Sequence, residues 1–201
     1  MLVDHVKKIA GGEGEVFVQE AELVKAAQEG DREALIQLLR EIETPLYRTA
    51  YYMLGNEQDA LDCTQEALIK IYKNIHSFEQ KAKFLTWAQR IVTNVCIDKC
   101  RQTKKNISID EHQFVLHSYG SNYVEEEIEK SILHSELKHA IDQLPEHHRT
   151  VVVMRYIQDL SYKEIADTID LPINTVKSYL FRARQQLQNL LHDFQKGGVS
   201  G

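Results

Sequence analysis

The spacing of apolar residues predicts helices along most of the chain. Apolar side chains recur every three or four positions, and no stretch alternates apolar and polar residues over the length of a strand. The sequence therefore predicts an all-α fold. The expected helices cover about 20–28, 32–53, 57–75, 84–102, 125–144, 146–156, 161–169 and 174–194, and periodicity is lost between 103 and 123.

Residues at the predicted helix ends support these boundaries. Asp31 can cap the second helix, and Gly55 suits the left-handed position after its end. Pro45 lies inside that helix and should kink or split it, because proline lacks a backbone N–H. Ser161 and Glu164 have the spacing of a capping box ahead of an apolar run.

The helices fall into two groups, which predicts two small helical domains joined by a flexible linker. The second group contains a helix-turn-helix, in which Asp170 lies at the turn and Ala166 is small where two helices approach closely. We expect their relative placement to be variable, because the linker is polar and non-periodic. The predicted boundaries are an unassigned extension over 1–19, a first domain over 20–105, an acidic linker over 106–131 and a helix-turn-helix domain over 132–196.

The net charge of −6 taken alone argues against nucleic-acid binding, but the charges are distributed unevenly along the chain. Residues 81–105 hold seven lysines or arginines and one acid, and 173–190 hold three basic residues and no acid. The intervening 106–136 hold seven acids and one lysine. Two basic segments thus flank an acidic one, and local charge decides where phosphates bind.

No apolar run approaches the length of a membrane span, the apolar stretch within residues 1–10 is shorter than we expect of a signal peptide, and three cysteines build no disulfide framework. These features predict a cytoplasmic protein that does not insert into a membrane.

The last helix separates into two faces. Val176, Leu180, Ala183 and Leu187 form an apolar stripe, and the opposite side carries cations, amides, hydroxyls and an aromatic ring. These groups suit phosphates, base edges and a thymine methyl in duplex DNA. A solvated surface helix is the alternative, although it would rarely expose Phe181. The candidate residues are Asn174, Thr175, Lys177, Ser178, Phe181, Arg182 and Arg184.

A second face combines aromatic and basic residues near the start of the fourth helix. Aromatic rings with cations suit unstacked single-stranded bases, since every base has a π-face on which to stack. The alternative is that Phe78 and Trp87 are rim residues of the core. The candidate residues are Phe78, Lys81, Lys83, Trp87, Arg90, Asn94 and Arg101.

No residue pattern predicts an enzyme, a cofactor or a metal site. Cys96 and Cys100 are four apart on a helix, but no further cysteine or histidine lies close in sequence. The nine histidines follow no known ligand spacing, and there is no phosphate-binding glycine loop. A helical enzyme with an unrecognised site remains an alternative that no set of residues favours.

Three segments together resemble the extracytoplasmic-function (ECF) group of bacterial sigma-70 factors, over roughly residues 21–190. They read YYMLGNEQDALDCTQEALIKIYKNIHSF, KFLTWAQRIVTNVCIDKCR and QLPEHHRTVVVMRYIQDLSYKEIADTIDLPINTVKSYLFRAR. The third alone is similar to other helix-turn-helix regulators, whereas the segments in this order and at this spacing are specific to sigma factors.

The resemblance implies two domains, called region two and region four, and three partners: core RNA polymerase, promoter DNA and, in many members, an anti-sigma factor. Region two would bind the polymerase clamp and the −10 element and assist its melting, and region four would bind the −35 element. The acidic linker would pass near the path of the RNA. The family's clamp contacts correspond here to Asp59, Asp62, Gln65, Glu66 and Ile69.

Two positions depart from the family pattern. Tyr179 stands where the family often has Arg, and Asn174 where it often has Gly. The −35 sequence therefore does not follow from the resemblance. The main alternative function is a helix-turn-helix repressor or activator that binds duplex DNA without polymerase; such a protein would not need the face around Trp87.

Overall fold

The computed structural model describes residues 20–107 and 135–197, with side chains described for 20–103 and 135–192. Helix α1 covers 20–28 and α5 covers 135–142 within these ranges. The other helices are α2 (Arg32–Leu54), α3 (Glu57–Asn74), α4 (Phe84–Ile107), α6 (Glu146–Tyr156), α7 (Tyr162–Ile169) and α8 (Ile173–Gly197), with a 3₁₀ turn at Ile75–Ser77. The extension over 1–19 and nearly all of the predicted linker lie outside the described residues.

Helices α1 to α4 enclose one apolar core. Leu38, Leu46 and Ile71 are buried completely or nearly so, and α2 packs along both α3 and α4. The predicted helix ends are confirmed: the Asp31 side chain accepts hydrogen bonds from the backbone N–H groups of Glu33 and Ala34, and Gly55 has a φ of 83°. These two ends turn the chain so that consecutive helices can pack against each other.

Of the two effects predicted for Pro45, a kink or a split of the helix, the split is wrong, because α2 is continuous from Arg32 to Leu54, and the kink stays a prediction. A proline removes one helical hydrogen bond. Here the buried Ile42, Leu46 and Ala50 on both sides of it are fixed by packing against α3 and α4. That burial outweighs the lost bond. Helix α4 also extends to Ile107, beyond the predicted end at Gln102.

Helices α6, α7 and α8 build a second apolar core. Val151, Ile165 and Val176 are fully buried at its centre. The predicted capping box is confirmed, since the Ser161 side chain accepts from the Glu164 backbone and the Glu164 carboxylate accepts from the Ser161 backbone. Asp170 adopts the left-handed conformation with a φ of 52°, as the helix-turn-helix requires.

The two halves pack against each other, unlike the variable placement expected from the sequence. The Gln158 side chain, 7% exposed, donates hydrogen bonds to Thr93 Oγ1 at 3.0 Å and to Thr49 Oγ1 at 3.3 Å. Arg149 also donates to the Met53 carbonyl at 3.3 Å. Hydrophobic periodicity does not indicate a buried amide between two threonines, so this contact could not be predicted from the sequence pattern.

Candidate nucleic-acid interface

Helix α8 presents an exposed polar face opposite a buried apolar one. Val176, Leu180 and Ala183 are buried in the second core, which fixes the rotation of the helix. Phe181 lies on the opposite side and is 55% exposed. The other predicted residues of this face also lie at the surface. Thr175 is partly buried, and the exposed ones are Asn174, Lys177, Ser178, Arg182 and Arg184.

Contacts with α6 hold α8 in place. The ring of Tyr179 lies 5.9 Å from that of His147 and 5.5 Å from that of His148, measured between centroids. His148 Nδ1 is also 2.8 Å from Gln186 Oε1. Tyr179 is therefore a packing residue, which gives a structural reason for an aromatic ring at a position where an arginine is common in the resembling family.

The second predicted face is built on an aromatic cluster at the start of α4. The Trp87 ring lies 5.0 Å from that of Phe78 and 5.7 Å from that of Phe84, between centroids. Phe78 and Phe84 are buried, whereas Trp87 is partly exposed. Phe78 thus lies beneath Trp87, and its proposed contact with DNA stays a prediction.

An open groove of about 310 Å³ borders the exposed edge of Trp87. The Asn74 side chain donates to the Lys70 carbonyl at 2.7 Å, and the Ser77 hydroxyl donates to the Asn74 carbonyl at 2.7 Å. These bonds order the end of α3 beside the ring. Only two of the residues that line the groove, Trp87 and Asn94, are among the site residues predicted from the sequence. The full lining is Lys70, Asn74, Ser77, Trp87, Ile91 and Asn94.

The predicted cations around this groove differ in their surroundings. Lys81 is exposed and forms an ion pair with Glu79, which raises the pKa of Lys81. Arg101 is exposed, 3.7 Å from Asp98, and Lys83 is also exposed. Arg90 is partly buried, and its Nε is buried without a hydrogen-bond partner among the described residues. The structure therefore places Arg90 at the edge of the packed core, apart from the exposed lysines.

The predicted polymerase-binding residues lie on the exterior of α3. Asp62, Gln65, Glu66 and Ile69 are exposed opposite the buried Ala67. Asp59 is only partly exposed. Its carboxylate is 2.8 Å from Lys99 Nζ of α4, and this hydrogen bond is the main cause of the lowered pKa of Asp59. The face therefore consists of four exposed residues with a fixed ion pair at its border.

The fold brings two cysteines together that are far apart in sequence. The Cys96 thiol of α4 lies within hydrogen-bonding distance of Cys63 of α3, and both are buried. This bond and burial raise the pKa of Cys96, whereas the bond lowers that of Cys63. Within 20–107 and 135–197, no group of three or more His, Cys, Asp or Glu residues could hold a metal ion.

Both faces lie in segments that match known families. Residues 38–106 match Sigma-70 region 2, and residues 134–187 match Sigma-70, region 4. The chain is 36% identical over 180 residues to the ECF RNA polymerase sigma factor SigW of Bacillus subtilis, covering 85% of this chain and 95% of that protein. It is 32% identical over 177 residues to the ECF RNA polymerase sigma-E factor of Escherichia coli K12, covering 83% and 91%.

The chain belongs to the ECF subfamily of the sigma-70 factors. This family membership makes it a sigma factor that binds core RNA polymerase and directs transcription initiation at promoters. The prediction of an ECF sigma factor is thereby confirmed, and an ordinary helix-turn-helix regulator is not favoured.

Solved structures share the fold of this sigma factor. The sigma factor RpoE of Bartonella quintana, solved with the anti-sigma factor NepR, superposes with a TM-score of 0.60 at 21% identity over 80% of this chain and 96% of that one. CnrH, solved with the cytosolic domain of CnrY, gives 0.60 at 22% identity over 87% and 97%. Among the described residues, no helix is long and apolar enough to cross a membrane.

Proposed function

We propose that the two halves of this sigma factor divide promoter recognition between them: α8 reads the −35 duplex, and the groove beside Trp87 takes single-stranded bases of the −10 element. The observation that supports this division best is the exposure of Phe181 within a basic face. An aromatic ring that is 55% exposed and flanked by Lys177 and Arg182 on the surface has no partner in the described core. A large apolar side chain in such a position suits a contact with another molecule.

In the −35 complex, the exposed face of α8 enters the major groove. Ser178 and Lys177 are in the first turns of the helix, where recognition helices contact base edges. Arg182 and Arg184 are further along and bind phosphates. No carboxylate of the described residues forms an ion pair with either arginine, so no salt bridge among those residues has to break when the guanidinium groups bind DNA.

In the −10 complex, a base leaves the duplex and stacks on the indole of Trp87. The groove volume of about 310 Å³ falls at the lower end of the range of small-ligand sites. Asn94 and Asn74 supply amide groups for the edge of the base, and Lys83 and Arg101 attract the backbone. Stacking on an aromatic ring contributes about 1–3 kcal/mol per base, which helps to offset the cost of unstacking.

The exposed face of α3 docks on a basic surface of core polymerase. Replacement of Asp62 and Glu66 by lysine reverses two charges on this face without touching the core. We expect this double variant to bind core polymerase at least tenfold more weakly while its helical circular dichroism is preserved. A matched control reverses Glu41 and Asp167, which are exposed on α2 and α7; equal weakening by both pairs would contradict a specific contact at α3.

An anti-sigma factor is a further proposed partner, and the cytoplasm the proposed place of action. One structural neighbour, RpoE, was solved with the anti-sigma factor NepR, and another, CnrH, was solved with the cytosolic domain of CnrY. A partner that covers the exposed face of α3 would compete with polymerase. A pull-down from the native host under non-inducing conditions tests this proposal; recovery of polymerase alone would argue for control through expression level.

Transcription in vitro with core polymerase, followed by sequencing of the RNA 5′ ends, tests the proposed function as a whole. The parent protein should give starts downstream of a shared −35 and −10 sequence. Substitutions in α8 should alter the −35 preference, and substitutions beside Trp87 should alter the −10 preference. If the protein binds duplex DNA equally with and without polymerase and yields no starts, the proposal fails.

A further inference from the structure

The loop beside the Trp87 groove is held by helix α1, which precedes the segment that matches Sigma-70 region 2. That match begins at residue 38, whereas α1 covers 20–28. Val24 and Ala27 are 1% and 2% exposed within the first core. Because these two residues anchor α1, the polar side chains at its ends are presented to the loop from a fixed position.

The C-terminal end of α1 holds the start of the loop. Gln28 Nε2 donates to the Ile75 carbonyl at 2.9 Å and to the Phe78 carbonyl at 2.8 Å. The Ile75 carbonyl also accepts from the Phe78 backbone N–H at 3.1 Å, which closes the 3₁₀ turn. One amide group thus uses both of its hydrogens to fix the turn that places Phe78 beneath Trp87.

The N-terminal end of α1 holds the other end of the loop. Glu20 Oε1 accepts a hydrogen bond from the Phe84 backbone N–H at 3.1 Å, at the first residue of α4. The first N–H groups of a helix have no partner within the helix, and a carboxylate there also interacts favourably with the helix dipole. Glu20 and Gln28 are about 12 Å apart along α1, so a single helix fixes both ends of the loop.

The loop needs such support, because its conformation is strained. Gln80 has a φ of 56°, a left-handed conformation that costs a residue other than glycine free energy. Residues 79–83 are exposed, so packing of their own side chains contributes little. The Gln28 and Glu20 hydrogen bonds join both ends of the loop to α1 and so help to offset this cost.

We propose that Gln28 and Glu20 are positioning residues for −10 recognition: they hold the 75–83 loop in the shape that admits a −10 base, and so set the sequence preference of a groove that neither residue lines. This inference rests on the proposed role of the Trp87 groove. It assigns a part of promoter selectivity to a helix that lies outside the matched region.

Two substitutions remove these contacts while leaving α1 anchored. Gln28→Met has a similar length and no donor, so the Phe78 carbonyl loses its partner. Glu20→Ala removes the acceptor at the start of α4, and Glu20→Gln retains an acceptor oxygen and should rescue the function. Gln37→Met is the matched control, because Gln37 is exposed on α2 and its side chain donates to Glu41, on the same helix, at 3.1 Å.

The experiment measures binding of fluorescent single-stranded −10 DNA to polymerase reconstituted with each full-length variant. The quantity of interest is the ratio of affinities for promoter and scrambled sequence. We expect Gln28→Met, which removes two hydrogen bonds, and Glu20→Ala, which removes one, each to lower this ratio roughly three- to tenfold. Glu20→Gln and Gln37→Met should retain the parent ratio. Affinity for −35 duplex and for core polymerase should be unchanged in all four.

Hydrogen–deuterium exchange of the free protein gives a second readout that is independent of DNA. Exchange in the peptide over 75–83 should become faster in Gln28→Met and in Glu20→Ala, while α8 is unaffected. If the parent protein binds promoter sequence more tightly than scrambled sequence and both variants retain this ratio, the inference about Gln28 and Glu20 is wrong, while the proposed function of the groove stands. A parent ratio of one would overturn the proposed function of the groove, and the inference with it.

Discussion

The two DNA-binding faces of this sigma factor differ in how they are attached to the fold. The α8 face projects from a helix whose opposite side alone is buried, so its side chains can be replaced without opening the core. The face around Trp87 is continuous with the core, because the indole packs on the buried rings of Phe78 and Phe84. The difference matches the two tasks: duplex DNA offers its base edges to a projecting face, whereas an unstacked base needs a preformed surface.

This difference implies that stability and recognition are separable in one half and coupled in the other. A substitution on α8 should change DNA binding alone. A substitution in the aromatic cluster should change both the free energy of unfolding and the shape of the groove. The following predictions test this contrast, from the largest expected effect to the smallest.

Replacement of Trp87 by alanine should have the largest effect. Loss of the contacts with Phe78 and Phe84 should cost about 2 kcal/mol of unfolding free energy, below the range for a fully buried ring because Trp87 is partly exposed. Promoter melting should be lost, seen as unreactive thymines near −10 in a permanganate assay, while −35 binding persists. Trp87→Phe retains a ring and should melt DNA better than Trp87→Ala.

Phe181→Ala is the counterpart on α8. Because the ring is 55% exposed, its loss should change the free energy of unfolding by less than about 0.5 kcal/mol. Binding of the −35 duplex should nevertheless weaken. If Trp87→Ala melts promoter DNA as well as the parent protein does, or if Phe181→Ala destabilises the fold as much as Trp87→Ala, the contrast between the faces is wrong.

Gln158→Lys should separate the two halves. The substitution places an unpaired ammonium group where a buried amide now donates to Thr49 and Thr93, and such a charge is costly without a partner. Small-angle scattering should show an increased radius of gyration, and binding of −35 duplex by the α8 face should be unchanged. Gln143→Lys, at an exposed position, should leave the scattering curve unaltered.

Within α8, the proposed roles predict that one substitution lowers the affinity for all DNA and another lowers the discrimination between DNA sequences. Arg184→Ala should weaken binding to promoter and random DNA alike, and should reduce the slope of log affinity against log salt by about one. Lys177→Ala should mainly reduce discrimination between the two, by about 1–3 kcal/mol. Equal weakening on both DNAs by Lys177→Ala would show that Lys177 binds phosphate instead of a base edge.

Helix ends and helix faces could be predicted from the sequence, because a few neighbouring residues determine each of them. Asp31, Gly55 and the Ser161–Glu164 capping box set helix ends within one or two turns of chain, and all were found as predicted. The exposed face of α8 followed from periodicity in the same way.

Contacts between distant segments could not be predicted in this way. Gln28 and Ile75 are 47 positions apart, and Gln158 and Thr49 are 109 apart. The Cys63–Cys96 pair also depends on how α3 lies against α4. A polar residue that reaches across the fold looks in sequence like any surface residue, so the groove and the packing between the halves emerge only from the structure.

The smallest expected effects on the free energy of unfolding come from two carboxylates, one in each half. The Lys99 hydrogen bond lowers the pKa of Asp59 from 3.8, and hydrogen bonds with Ser161 lower the pKa of Glu164 from 4.5. A carboxyl group with a depressed pKa in the folded state stabilises the fold above its unfolded-state pKa, and this contribution is lost as the pH falls through the folded value.

Lys99→Met and Glu164→Gln should therefore each lower the unfolding free energy by about 0.5 kcal/mol near pH 7, because both sites are partly exposed. The difference from the parent should shrink below about pH 4 and vanish once both carboxyls are protonated in the folded state. Denaturant titrations at a series of pH values measure it, and a difference that persists undiminished at low pH would show that these bonds act through packing instead of charge.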